Sequence, residues 1–331
     1  MAQGWTTTEL LAQIRDDARL ADDDPEATSA ILLRRATRIL QDSYAPAVRA
    51  CRSDYYVAYT DIVLTTGRAS YPIPRRALTS SVRLVRAVDS SGREVELMPA
   101  PLEDVSHQRA GFTGRPCVYC IADDRIVVSP TPNSSAYTLR LAFEYRPSSL
   151  VAVDGTGAAY TYTVSSSYAS SLHTIITKHD LFDDTDVVDV VRRNAPFSSP
   201  VIDATINARG AEGDGYAIDL SSYSGLLDIN LGLDASTSGG DYVCFAGESP
   251  VPQIPAELHP CLAMHAAAEF LISIDPAGAA ALKMQADEKM ARALSAMQPR
   301  KQGQQMKLKP RVRYVKVSGG GGRGNTFGDL S

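Results

Sequence analysis

The segment 114–150 constrains the fold most strongly, because prolines bracket its apolar runs. Residues 126–128 (Ile-Val-Val) form a β-branched run that favours a strand. The Pro-Thr-Pro run at 130–132 then forces the chain to turn, since proline donates no hydrogen bond to a sheet. Residues 137–143 alternate apolar and polar side chains with a period of two, which is typical of a half-buried strand. We therefore predict a hairpin of two strands within 114–150, around which the rest of the chain is organised.

Length and composition limit the class of protein. A chain of 331 residues can form two compact domains, and 44% hydrophobic with 21% charged residues is ordinary for a globular protein. No apolar run reaches the roughly 18–20 residues that a membrane helix needs, and the N-terminus shows no signal-peptide pattern. Five cysteines without regular spacing indicate a reducing compartment rather than a disulfide framework.

Charge is distributed unevenly along the chain. The formal net charge is −5, yet the segment from Arg300 onward carries eight Lys or Arg residues against one acid, Asp329. Residues 307–318 alternate basic and apolar side chains, and four glycines follow at 319–322. We expect this tail to stay disordered until a partner receives it. Strand addition to an acidic protein groove is the favoured interpretation, beside nucleic-acid binding and a merely solvated tail.

Helical periodicity marks both ends of the chain. Residues 6–20 show apolar positions on one face, with Thr7 or Thr8 as the cap. A second helix is predicted to begin at Asp24-Pro25 and to run to about Tyr44, with Pro46 as its exit. Near the C-terminus, helices are predicted from Pro255 and from Asp275-Pro276, the second with a stripe at 282, 286, 290, 293 and 297.

The central region is rich in strand signals. In the first half we predict strands at 54–64, 82–88 and 95–97, and a short helix at 101–108. The region 151–248 is rich in Ser, Thr, Gly and Asp, which indicates a small sandwich-like β-domain. Its predicted strands lie at 159–164, 172–177, 187–193, 201–207, 216–220, 226–231 and 242–246.

These patterns predict an α+β protein with a helical frame, a β-hairpin region, an inserted all-β domain and an extended C-terminal tail. The predicted boundaries are 1–150 for the body, 151–248 for the inserted β-domain, 249–299 for the helices that complete the body, and 300–331 for the tail.

Candidate metal ligands lack the patterns that metal sites need. The Cys117/Cys120 pair has no second pair to complete a zinc site. His259, Cys261 and His265 do not share one helical face. The acidic run 178–189 lacks the glycine and the final glutamate of a calcium loop. We predict no metal and no cofactor.

Catalytic motifs are also missing. The chain has no GxSxG elbow, and the glycine run 319–324 has neither a predicted strand before it nor a helix after it, as a phosphate-binding loop requires. We predict that the protein is not an enzyme.

The order of several short segments carries a resemblance. They are Tyr71-Pro72-Ile73-Pro74, Gly114-Arg115-Pro116 with Tyr119, Val128-Ser129-Pro130-Thr131-Pro132, Leu139-Arg140-Leu141, Tyr145-Arg146-Pro147 with Leu150, and Ile254-Pro255. In this order the chain resembles the head-to-tail adaptor (connector) proteins of tailed bacteriophages, especially the short-tailed, podovirus-like type. The resemblance covers about 1–150 and 250–331, and it departs at 151–248, which is why we interpret that region as an insertion.

The resemblance implies a structural role in the virion. Such adaptors form a ring, usually of twelve copies, between the portal protein and the tail tube or nozzle, and genomic DNA passes through without sequence-specific binding. It places the protein at the head–tail junction after assembly in the host cytoplasm, with a C-terminal tail that reaches the portal. The residues predicted to bind the portal are Lys307, Leu308, Lys309, Arg311, Val312, Arg313, Tyr314, Lys316, Val317 and Phe327.

Two further expectations concern surfaces. The small residues Ala263, Ala266, Ala267 and Ala268 form a face that can pack closely against a neighbour. The inserted domain is expected to contact a tail fibre or neighbouring copies. The alternative function is a β-rich carbohydrate- or surface-binding virion protein, in which tyrosines of 151–248 stack on sugars, and an enzyme is the third candidate. Those tyrosines are Tyr160, Tyr162, Tyr168, Tyr216 and Tyr223.

Overall fold

Helices lie near both ends of the chain and strands lie between them, so the predicted α+β class is confirmed. The computed structural model describes residues 4–21, 24–109, 112–153, 159–164, 174–177, 182–193, 201–212, 215–219 and 242–297. The helices are α1 (Thr7–Ala18), α2 (Ser29–Ile39), α3 (Ala45–Cys51), α4 (Leu102–Arg109), α5 (His259–Leu271) and α6 (Pro276–Met297).

The cap of the first helix lies at least one residue earlier than predicted. Thr6 caps α1, with Glu9 as its partner: the Thr6 amide donates to Glu9 Oε2 at 2.7 Å, and the Glu9 amide donates to Thr6 Oγ1 at 3.4 Å. Thr7 is fully buried, and its hydroxyl donates to the Val151 carbonyl at 2.7 Å. The prediction of Thr7 or Thr8 as the cap was therefore wrong.

The second helix departs from prediction at both ends. Asp24 does not cap α2; its carboxylate accepts the Glu26 amide at 2.9 Å in a preceding turn, and α2 begins after Thr28. At its other end a π-helical turn, Leu40–Tyr44, leads directly into α3. Pro46 lies in the first turn of α3, where no amide hydrogen is needed, so it does not end the helical run as predicted.

The strands of the body precede residue 151. They are β1 (Val57–Val63), β2 (Ser70–Pro72), β3 (Ala77–Val88), β4 (Glu94–Glu96), β5 (Met98–Pro99), β6 (Thr113–Gly114), β7 (Val118–Ala122), β8 (Arg125–Ser129), β9 (Thr131–Pro132), β10 (Thr138–Tyr145) and β11 (Ser149–Leu150). Two four-stranded sheets result, in the orders β1-β10-β3-β4 and β2-β8-β7-β5.

The hairpin within 114–150 differs from the predicted one. β8 pairs with β7, so that Ile126 lies opposite Ile121, whereas β10 lies between β1 and β3 in the other sheet. The proline-rich stretch thus carries the chain from one sheet to the next, and its strand β9 pairs with β6. Strand periodicity was predicted correctly, but period alone does not specify which strands pair.

The region after residue 151 is also built of strands. Its described strands are β12 (Ala159–Val164), β13 (Thr174–Thr177), β14 (Val187–Val191), β15 (Val201–Thr205), β16 (Ala208–Glu212), β17 (Gly215–Asp219), β18 (Tyr242–Phe245) and β19 (Glu248–Ser249). Seven of them form a sheet in the order β15-β14-β18-β12-β13-β17-β16. The predicted strand at 226–231 lies outside the described residues, and β16 was not predicted as a separate strand.

A short parallel pair joins this sheet to the body. Leu150 of β11 lies opposite Ser249 of β19. Thr7 at the start of α1 contacts the residues that follow both strands. Its amide donates to the Pro250 carbonyl at 2.8 Å, and its hydroxyl donates to the Val151 carbonyl. Parallel neighbours need a long crossover connection, and residues 151–247 supply it here.

Helix α5 is the centre of the helical layer. It contacts α1, α2 and α6, and Leu258, Leu262 and Phe270 are buried as the apolar spacing predicted. Asp275 caps α6 as predicted, since its carboxylate accepts the Gly278 amide at 3.0 Å. The small-residue face of α5 packs mainly against other helices of the same chain, and Ala268 also lines a surface groove. Those alanines are buried within the chain, where their small side chains let the other helices approach.

Candidate assembly surface

The predicted portal-binding residues, from Lys307 to Phe327, lie outside the described residues, so that prediction stays untested. The same holds for the side chains of the five tyrosines in the alternative function. Cys117 is exposed and Cys120 is buried on β7, and neither forms a disulfide. Within the described ranges, no group of three or more His, Cys, Asp or Glu side chains is placed to hold a metal ion. No helix among the described residues is long and apolar enough to cross a membrane.

His259 has a structural environment. The Trp5 amide donates to its Nδ1 at 2.9 Å, and its Nε2 lies 3.0 Å from the Ile254 carbonyl. Because an amide can only donate, Nδ1 must be unprotonated and Nε2 must carry the hydrogen that Ile254 accepts. Burial lowers the pKa of His259 to about 4, so the ring is neutral near pH 7. His259 therefore links the segment before α1, through Trp5, to the start of α5.

A groove lies between α2 and α6, and α5 forms its floor. Its volume is about 810 Å³. Ile39 and Asp42 line it from the side of α2, Ala268 lies on the floor, and Ala280 and Met290 line it from α6. The groove is therefore mixed, with an apolar floor and charged rims, which is the character of a surface that receives a partner helix.

One end of the groove is held by a chain of hydrogen bonds. The Tyr44 hydroxyl lies 2.6 Å from His265 Nδ1, and His265 Nε2 lies 3.0 Å from Asp287 Oδ1. Burial raises the pKa of Tyr44, so its hydroxyl keeps its proton and can donate to the ring. The chain connects the π-helical turn to α5 and to α6. With Asp42 on the opposite rim, two carboxylates flank this end of the groove, and Lys283 lies one turn before Asp287 on α6.

The other end of the groove is basic. Arg38 forms an ion pair with Glu269, and Arg35 donates to the Glu269 carbonyl at 3.1 Å while its guanidinium lies 5.1 Å from the Phe270 ring centre. Arg34 joins them around an adjoining hollow of about 600 Å³. Three arginines thus face one glutamate where α5 ends.

Helix α6 carries a second apolar surface on its outer side. Of its 22 residues, Ala279 and Ala286 are the buried ones. Met284 is 71% exposed. The outer face, opposite the buried one at helical spacing, consists of Ala277, Ala281, Met284, Glu288, Ala291 and Ser295.

A buried ion pair connects the body to the seven-stranded sheet. Asp189 on β14 is completely buried and pairs with Arg76, which precedes β3. Its carboxylate also accepts the Asp203 amide at 2.8 Å and the Gly247 amide at 3.0 Å. Burial raises the pKa of Asp189, and Arg76 with the two amides counters this effect. Arg76 in turn donates to the Ser148 hydroxyl at 2.9 Å.

Sequence reasoning missed the groove, because its walls come from segments more than two hundred residues apart. A signal for the outer surface was present, however. Besides the predicted inner stripe of α6, small or apolar residues recur at 277, 281, 284 and 291 on the opposite side. A helix with two apolar faces has two surfaces to cover.

Comparison with known protein families gives a match. Residues 5–182 match the model of a family described as the SU10 adaptor protein. The matched residues span α1 to α4, both four-stranded sheets and the first two strands of the seven-stranded sheet. A search of curated proteins finds no match.

Proposed function

Because the chain belongs to the SU10 adaptor protein family, it is a structural protein of a bacteriophage, and we propose that it forms a ring that joins the portal protein to the tail. The family is structural rather than catalytic. In this proposal the ring lies at the head–tail junction of the virion, most simply as twelve copies. The tail tube or nozzle docks beneath it, and genomic DNA passes through its channel.

One observation supports ring formation more than any other. The groove beside α6 and the outer face of α6 are two different surfaces on one chain. A cyclic ring needs such a pair, because each copy meets its two neighbours through two different patches.

The basic tail is the proposed link to the portal. Residues 300–331 alternate positive and apolar side chains over 307–317, a pattern that strand addition to an acidic groove uses. Deletion of 303–331 should abolish portal binding while leaving the body folded. The measurement is co-sedimentation with the portal protein, with thermal unfolding of the truncated chain as the control. Undiminished portal binding by a folded truncated chain would contradict this role.

The region 151–248 is proposed as an inserted domain that contacts a tail fibre or neighbouring copies. The parallel pair of β11 and β19 supports this, since it brings the two ends of the region together at the body. Replacement of 154–246 by a flexible linker of about a dozen residues or more, the length that parallel neighbours require, should preserve ring assembly. A complete loss of soluble protein would instead assign the region to the core of the body.

The first test of the whole proposal is native mass by light scattering. The chain is measured alone and then with the portal protein of the same phage. A ring of defined stoichiometry, formed alone or on the portal, is the expected result. A monomer that ignores the portal would contradict the proposal, and glycan binding would then be tested for the alternative function.

A further inference from the structure

We infer that the outer face of α6 of one copy lies in the groove between α2 and α6 of the next copy. This inference rests on the proposed ring, and it assigns the residues of the subunit interface. The groove is the receiving surface, and Met284 is the centre of the inserted surface.

The groove has the features of a place for one more helix. Its floor is α5 and its walls are α2 and α6, and the principal described contacts of both walls are with α5. Helices pack with their axes about 8–10 Å apart, so a fourth helix above α5 would contact both walls. Ala268 and Ala280 leave room for its side chains, and Ile39 with Met290 offers apolar contact.

The outer face of α6 fits such a groove. Its alanines permit close approach, and Met284 is its single large apolar side chain, exposed over 71% of its surface. Methionine adapts to irregular apolar surfaces because it is unbranched and flexible. The face is distinct from the side of α6 that lines the groove, so one helix can serve both neighbours at once.

The charges indicate the direction of the inserted helix. Arg34 and Arg38 lie at one end of the groove, where Glu269 pairs with Arg38. Asp42 and Asp287 lie at the other end, with Lys283 one turn before Asp287. The outer face of α6 carries Glu288, and Arg292 follows one turn later with its own ion pair to Glu288. A helix that runs in the same direction as the α6 of the receiving copy places Glu288 toward the arginines of the groove and Arg292 toward its two aspartates.

Ring geometry requires the same direction. The α5–α6 turn lies at the end with the arginines and Asp287 at the end with the two aspartates, so α6 runs from the first end to the second along the groove. In a ring of many copies each neighbour is rotated by a small angle, so equivalent helices run nearly in parallel. Charge complementarity and symmetry thus agree on one arrangement.

Three substitutions test the interface in the full chain. Met284→Lys places a charge on the inserted surface, and Ser43→Arg fills the groove from the wall opposite α6. Gln285→Lys is the matched control, since Gln285 is an exposed neighbour of Met284 that lies off the outer face and does not line the groove. We expect each of the first two to weaken ring formation about tenfold or more, and the control to assemble like the unmodified chain.

Mixing the two defective variants identifies the head-to-tail arrangement. Met284→Lys retains an intact groove and Ser43→Arg, on the wall opposite α6, retains an intact outer face. The two should therefore form a one-to-one dimer that grows no further. Light scattering of each variant alone and of the mixture measures this, and circular dichroism verifies that each is folded.

The outcomes separate this inference from the proposed function. Rings of Met284→Lys or Ser43→Arg that match those of the unmodified chain would overturn the interface and leave the ring standing. A mixture that restores complete rings, or forms no dimer, would overturn the head-to-tail pairing of these two surfaces. An unmodified chain that forms no ring, alone or on the portal, would overturn the proposed function itself.

Discussion

Two parts of the molecule are stabilised in different ways. One is the helical frame, and the other is the joint, the buried Asp189–Arg76 ion pair between the body and the seven-stranded sheet. In the frame, one apolar cluster extends from α1 through α5 to the body strands, and no single side chain dominates it. At the joint, one completely buried carboxylate is balanced by one guanidinium and two amides. Apolar packing spreads its free energy over many contacts, whereas a buried charge depends on each of its partners. The joint should therefore be far more sensitive to a single substitution.

The largest expected effect tests the joint. Arg76→Met removes the cation beside Asp189 and should lower the free energy of unfolding by about 3–5 kcal/mol near pH 8, because an unpaired buried charge remains. The matched control is Arg83→Met, whose partner Glu144 is only partly buried, and it should cost less than about 1 kcal/mol. Urea unfolding measures both.

The pH dependence of stability gives a second test of the joint. Without Arg76, the folded-state pKa of Asp189 lies further above its unfolded value, so the native variant takes up a proton that the unfolded chain does not. The stability of Arg76→Met relative to the unmodified chain should consequently fall as pH rises from 5 to 8. If the difference in the free energy of unfolding between the two chains stays constant over this range, the loss of stability does not come from the charge of Asp189.

The second prediction concerns the frame, through the buried side chain of His259. The folded-state pKa of His259 is about 4, below the ordinary 6.5, so its contribution is complete above pH 6.5 and is lost as pH falls toward 4. Between pH 7 and pH 4.5 we expect a loss of about 2.5 kcal/mol in the free energy of unfolding. Protonation of Nδ1 would also break the bond from the Trp5 amide.

The control for this pH dependence is His259→Asn. That variant should be less stable at pH 7. It should lack this part of the decrease in the free energy of unfolding at low pH, because asparagine does not titrate. Unfolding curves at several pH values compare the two chains. Equal slopes for the variant and the unmodified chain would assign the acid sensitivity to other groups.

The smallest predicted effect lies at the start of α1. Thr6→Ala removes the side chain that accepts the Glu9 amide and should cost about 1 kcal/mol. Thr8→Ala changes the same residue type in the first turn, where Thr8 is exposed, and should be neutral within about 0.5 kcal/mol. Thermal unfolding of the two variants distinguishes them, and an equal loss would mean that the cap is not the cause.

Elements were predictable where local pattern decides them. The stripe on α6, the cap at Asp275 and the strand at 138–145 follow from spacing and from residue type, and the structure has them there. The start of α2 was not predictable from Asp24-Pro25, because a capping signal forms a turn as readily as a helix. Thr28, without a side-chain cap, begins the helix instead.

The candidate surface was only partly predictable. The apolar outer residues of α6 can be read along the chain, but the groove exists only because α2 and α6 flank α5. The alanines of α5 illustrate the limit. Their spacing predicted a packing face correctly, yet which partner covers that face depends on the tertiary arrangement, and here it is the chain itself.

The sequence by itself determined the α+β class, the helices at both ends and the strand periods, because these depend on neighbours a few residues apart. Only the tertiary structure decided that β8 and β10 lie in different sheets, that Asp189 meets Arg76, and that Thr7 joins the two ends of the region 151–247. Those contacts join segments distant in the chain, and their free energy comes from burial and charge pairing that no local pattern encodes.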